Sequence, residues 1–213
     1  MLPFTTQQFL AVFGEYNEAI WPAHVAAFAL GLLAVVLAAR PGEPRGRAVC
    51  GILALFWIWI GAVYHLQYFA AINPLARLFG LAFIAQGMLF AVHALRRDGL
   101  QFRFRSDAGA VLGMVFVAYG LVFYNLLGPL FGHAWPRMPV FGVAPCPTTI
   151  FTFGLLLKAR GRVPWSLLVI PFLWSLVGGS AAFVLAVPED YGLIVAGLSG
   201  TWLIARRNLR HGA

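Results

Sequence analysis

Seven apolar stretches run through this chain, and its basic residues fall almost entirely in every second gap between them. Stretches of this length with almost no charge suit helices crossing a hydrocarbon core of about 30 Å. The spans read as Ile20–Ala39, Val49–Phe69, Pro74–Leu95, Ala108–Leu130, Pro139–Leu157, Pro164–Val187 and Tyr191–Ala205. The first gap holds Arg40, Arg45 and Arg47, and the third holds Arg96, Arg97, Arg103 and Arg105. Lys158, Arg160 and Arg162 follow the fifth span, and Arg206, Arg207 and Arg210 follow the seventh. The other face keeps only Arg77 and Arg137, with acidic Glu15, Glu18, Glu189 and Asp190. The positive-inside rule then puts the N-terminus outside and the C-terminus in the cytoplasm.

Composition limits the alternatives. Hydrophobic residues make up 61% of the chain and charged residues 10%, well short of the roughly 25% charged of a soluble domain. The expectation is one all-α, polytopic membrane bundle of seven transmembrane helices over residues 1–213, without a separate soluble domain. The net charge of +8 serves topology and anionic headgroups. No loop presents the long basic surface of a nucleic-acid partner. Residues 1–8 lack a basic leader, so the first apolar run is read as a retained helix. Cys50 and Cys146 fall at opposite membrane faces and cannot pair.

A short interfacial helix is expected over 4–14. Thr5 and Gln8 have capping-box spacing, and Phe4 and Phe9 stand at hydrophobic-staple positions. Phe9, Leu10 and Phe13 would dip into the membrane interface. In the sixth span, Pro171 and Gly178–Ala182 suggest a kink and a close helix approach, with Gly197 and Gly200 as the matching small face.

The fifth span is broken by Pro145-Cys146-Pro147. Only Thr148–Leu157 reads as regular helix, about 15 Å long and half a bilayer. Extended backbone at membrane depth needs protein or a water-filled cavity around it. In transporters, such broken helices mark binding sites. Pro147 suits the first helical position, which makes Cys146 the N-cap, where the helix dipole favours a thiolate. Thr148, Thr149 and Thr152 add hydroxyls.

Histidine supplies the second layer. His24 and His65 fall at similar depth near the outer ends of the first two spans, and His133 follows the fourth; His93 and His211 fall at the inner edge. Glu189 and Asp190 occupy the turn between the last two spans, joined on that face by Glu15, Asn17 and Glu18. They read either as helix caps or as entry-site carboxylates. Gln67, Gln86, Tyr119, Tyr124 and Asn125 are polar groups for cross-helix bonds.

Phosphate loops, HExxH, paired CxxC and GxSxG are missing from the sequence. A retinal Schiff base is excluded, because Lys158 is the only lysine and ends the fifth span. Three readings stay open. The first is a non-enzymatic protein that binds, and passes, a small solute or a soft transition-metal ion such as Zn or Cu. Cys146, His65, His24 and His133 would be its metal ligands, with Glu15, Glu189, Asp190, Thr148 and Thr149 around the ligand. The second is a thiol enzyme acting on a lipid or small substrate, with Cys146 as nucleophile and His65 or His133 as base. The third is a b-type haem protein with His24 and His65 axial.

Three segments carry a resemblance: FTTQQFLAVFGEYNEAIWP at Phe4–Pro22, PCPTTIFTFG at Pro145–Gly154 and PFLWSLVGGSAAFVLAVPED at Pro171–Asp190. Together they resemble a family of bacterial multi-pass membrane proteins of unknown function. The resemblance implies the bacterial inner membrane, with membrane lipids as partners, and carries no activity. A weaker similarity is to seven-span metal-dependent hydrolases related to alkaline ceramidases. Their paired HxxxH in the last span has no counterpart in Tyr191–Ala205.

Overall fold

The computed structural model describes residues 2–103 and 107–210. Among these residues it is helical, with no strand and one isolated bridge between Phe102 and Ala159. Arg105 and His211 lie outside the described residues. Four helical segments are long and apolar enough to cross a membrane: Glu43–Ala71, Ala76–Leu95, Ala108–Leu130 and Ser166–Leu185. A fifth joins them if Thr6–Ala19 and Ala23–Ala38, bent 89° at their break, count as one.

Helix α1 (Thr6–Ala19) has both the capping box and the staple expected of it. Gln8 N–H donates to Thr5 Oγ1 at 3.2 Å, Thr5 N–H donates to Gln8 Oε1 at 2.8 Å, and the Phe4 and Phe9 rings stack at 5.9 Å. The helix runs five residues beyond the expected end at residue 14, and its apolar face turns toward protein rather than lipid. Phe13 stacks on Tyr64 at 4.8 Å, and Tyr16 donates to the Val143 carbonyl at 2.9 Å. Aromatic side chains of the next layer give that face a better partner than the bilayer surface.

Helix α2 (Ala23–Ala38) leads to α3 (Glu43–Trp59), which continues as a π-helix over Ile60–Tyr68 and a 3-10 turn over Phe69–Ala71. Helix α4 (Ala76–Leu95) packs along α3. Helix α5 (Ala108–Ala118) passes through a second π stretch, Tyr119–Phe123, into α6 (Tyr124–Leu130). Helices α8 (Ser166–Leu185) and α9 (Tyr191–Arg210) close the bundle. They meet over small residues: a Cβ on Gly178 would lie 2.9 Å from Leu193 Cδ2. Gly200 instead faces Phe153 of the central helix.

The broken segment occupies the centre. Every residue from Met138 to Ala159 is buried, so the irregular backbone before the helix is enclosed by protein. Helix α7 (Pro145–Leu157) starts earlier than the prolines suggested, with Ala144 as N-cap and Pro145 in the first turn. Cys146 is therefore inside the first turn and is not the cap. Both prolines fit there because first-turn N–H groups have no intrahelical partner to lose. No side chain caps this helix; the Thr148 hydroxyl instead ties its start to the preceding chain, donating to Ala144 O at 2.7 Å and accepting from Gly142 N–H at 3.0 Å.

Glycines let α7 approach α5 backbone to backbone. A Cβ on Gly154 would lie 2.6 Å from the Gly113 carbonyl, and one on Gly113 would lie 2.7 Å from that of Gly154.

The basic segments gather at one end of the bundle. Arg47 Nε donates to Ala94 O at 2.8 Å, Arg160 N–H to Gln101 O at 2.7 Å, and Arg207 Nη1 to Leu157 O at 3.0 Å. Asn208 ties the loop before α8 by bonding both the N–H and the carbonyl of Val163.

Candidate functional site

At the opposite end, α8 closes on Ala186, whose left-handed backbone (φ 53°) turns the chain. The 3-10 turn Pro188–Asp190 follows and carries both acids into the bundle, where Glu189 and Asp190 are almost wholly buried. Each finds side-chain partners there. Tyr124 donates its hydroxyl to Asp190 Oδ1, Glu189 Oε1 pairs with His133 Nδ1 at 2.8 Å, and Tyr119 donates to the Glu189 carbonyl at 2.8 Å. Glu189 Oε2 is buried without a partner. The Cys146 thiol lies within hydrogen-bonding reach of Asp190 and faces the Trp174 indole. Burial pushes the Asp190 carboxyl up to about 7 against the Tyr124 hydrogen bond, which lowers it; Glu189 adds to the rise and Cys146 opposes it.

Beside this cluster lies a cavity of about 320 Å³. Asp190 and Cys146 stand in its wall, and most of the remaining lining is aromatic or aliphatic. Phe4, Phe9 and Phe13 from the start of the chain and α1 cover one side, and Tyr64, Phe69 and Trp174 contribute others. Asp190 is the one charged residue lining it among those described. The rim includes Leu75, Val177 and Val184, apolar side chains exposed on the flank of the bundle. The lining thus reaches the apolar outer surface of the molecule at these residues. Both π stretches border this end, bringing Tyr64 and His65 from one and Tyr119 from the other. Single π turns often occur at functional sites.

Residues 6–213 match a family of unknown function, DUF6064. The chain belongs to that family. No curated protein and no solved structure matches it. Membership in DUF6064 agrees with the resemblance carried by the three segments quoted above.

Of the side chains expected at a site, this DUF6064 chain brings Cys146 and Asp190 together, with Glu189 and His133 next to them. The remaining histidines go elsewhere. His24 Nε2 is 3.1 Å from Asn17 Oδ1, and its ring lies 4.9 Å from Trp135. His65 is wholly buried among Phe69, Phe79, Phe83 and Trp174, and neither ring nitrogen has a hydrogen-bond partner. The two imidazoles share no ring neighbour. Among the described residues there is no group of three or more His, Cys, Asp or Glu side chains that could hold a metal. Glu15 is exposed on α1, and the Thr149 hydroxyl is buried without a partner. Asn17 is structural: its amide nitrogen donates to Pro136 O at 2.6 Å and Met138 O at 2.8 Å, pinning the chain that leads to α7.

The cavity itself was not visible in the sequence. Neither Tyr64 nor Trp174 carries a local signal of a site in the sequence. Phe9 and Phe13 read as membrane-interface residues, and Phe4 as a hydrophobic staple. The one available hint was that an apolar helix face next to a break in a buried segment has protein to cover.

Proposed function

We propose that this chain is an integral protein of the bacterial inner membrane that binds a small amphipathic molecule in the cavity beside Asp190 and Cys146. The observation that carries the reading is the lining: an apolar, aromatic space with a few polar groups gathered at one wall and a rim on the lipid-facing flank. Ligand sites commonly combine an apolar pocket with a small number of placed polar groups. An apolar tail enters from the bilayer between α4 and α8, and the polar head rests against Asp190, Cys146 and Trp174. A transition-metal ion is the weaker reading, because Cys146, His24, His65 and His133 point into different surroundings. The thiol-enzyme reading is also weaker, since the groups at Cys146 are a carboxyl and an indole rather than an imidazole.

Native mass spectrometry on protein extracted in mild detergent tests the proposal. Wild type should carry a small molecule that is released on denaturation, and Ala181→Phe, which fills the cavity, should carry much less. Equal retention by both proteins, or none by either, would remove it.

The same proposal includes seven crossings, with the N-terminus outside and the basic end in the cytoplasm. Support comes from the gathering of the basic segments at one end and the acidic turn at the other. Helices α2, α7 and α9 are the shorter or more polar crossings. Of these, α7 is shielded by its neighbours, within the buried run from Met138 to Ala159, while α2 and α9 keep apolar side chains on the outer surface. In intact cells, a membrane-impermeant maleimide should label Glu15→Cys and leave Arg160→Cys untouched. The reverse pattern would invert the orientation, and labelling of both would refute the crossing count.

A further inference from the structure

We infer that the head group bound in this cavity is a cation, an amine or quaternary ammonium carried on an apolar tail. The inference rests on the binding reading above and adds the charge of the ligand. Three observations point the same way. Among the described residues Asp190 is the sole charged group in the lining and it is an acid, with Glu189 adjacent behind it. No lysine, arginine or histidine lines the cavity among the described residues, so a carboxylate or phosphate head would meet only like charge.

The third observation is the density of rings. Phe13 and Tyr64 stack at 4.8 Å, Phe4 meets Phe69 edge-on at 5.3 Å, and Trp174 meets Phe79 edge-on at 5.4 Å, all in the cavity wall. The face of an aromatic ring attracts a cation, and cages of such rings are a recurrent means of recognising quaternary ammonium groups. The attraction grows when the cation is desolvated, which a wall this apolar enforces. An acid beside a ring cage is therefore selective: it favours a cation over a neutral head of equal size and rejects an anion.

Hexyltrimethylammonium, hexanol and hexanoate have the same tail and different heads, and they are soluble enough to titrate calorimetrically into the full-length protein in detergent. The ammonium should bind about tenfold more tightly than hexanol, and hexanoate should not bind. Asp190→Asn should lower the ammonium affinity to that of hexanol. Because the quaternary head does not titrate, wild type should also lose ammonium affinity as the pH falls from 8 to 5, with hexanol unaffected. The groups facing Asp190 are Tyr64, Tyr119, Tyr124, Cys146 and Glu189, with His133 behind Glu189. The loss is assigned to Asp190 itself rather than to any of these neighbours. The pH arm needs no variant, so it stands even if Asp190→Asn fails to fold. Hexanol or hexanoate binding as tightly as the ammonium would overturn the cationic head while leaving the cavity a binding site. Binding of none of the three would remove both claims.

Discussion

Gly154→Leu is expected to give no folded protein in detergent, judged by a collapsed size-exclusion peak and loss of a cooperative melt. The residue lies where α7 and α5 touch through their backbones. Even a single carbon at Gly154 would sit 2.6 Å from the Gly113 carbonyl and 2.8 Å from Val117 N. The obstructing atoms are main chain, so no rotamer change relieves the contact and the helices must separate. Helix α7 cannot give ground either, because all of its residues are buried. Overpacking of a well-filled core typically costs about 1–3 kcal/mol, and a contact with rigid backbone belongs above that range. Gly154→Ala should be partly tolerated, with a clear fall in Tm. A Leu variant that melts like wild type would show that α5 and α7 do not pack this closely.

The second large effect concerns pH. Asp190 ionises near 7 in the folded protein against an ordinary value of 3.8, because burial penalises the charged form. A carboxyl with a raised folded pKa holds its proton more tightly when folded than when unfolded. Stability is then greatest below about pH 4, falls as the pH rises toward 7, and levels off above it. A shift of this size corresponds to roughly 4 kcal/mol across the window. Asp190→Asn keeps an acceptor for Tyr124 and removes the titration. Its Tm should vary little between pH 4 and 8 on this account, and should exceed that of wild type at pH 8. If the two proteins lost stability in parallel over that range, Asp190 would not be the group responsible. The same substitution is expected to weaken ammonium binding, so a gain in stability beside a loss of affinity would mark Asp190 as a group kept for its ligand.

How far the sequence could be read depended on the range of the forces involved. Charge alternation and apolar run length are local quantities, and they anticipated a helical chain with several segments long and apolar enough to cross a membrane. The capping box at Thr5 and Gln8 is equally local. The proline pair correctly marked irregular backbone before a short helix, but it misplaced the helix start because two prolines can share a first turn. The interior of the site depended on contacts between distant residues. Cys146 and Asp190 were both singled out, yet only the fold shows that they adjoin. Nothing at Trp174 or Tyr64 distinguishes a ring in a cavity wall from a ring in a core. His24 and His65 differ for a related reason: similar depth in two helices does not fix the direction in which either ring points, and the fold gives the two rings different neighbours.

The enclosure of Met138–Ala159 has a consequence for biogenesis. A segment that touches no lipid in the finished molecule derives nothing from the bilayer as solvent, so its seat depends on walls supplied by other parts of the chain. Helices α8 and α9 are two of those walls, and the ribosome makes both afterwards. The centre of this protein must therefore wait, partly unclad, until the last of its surroundings has been synthesised.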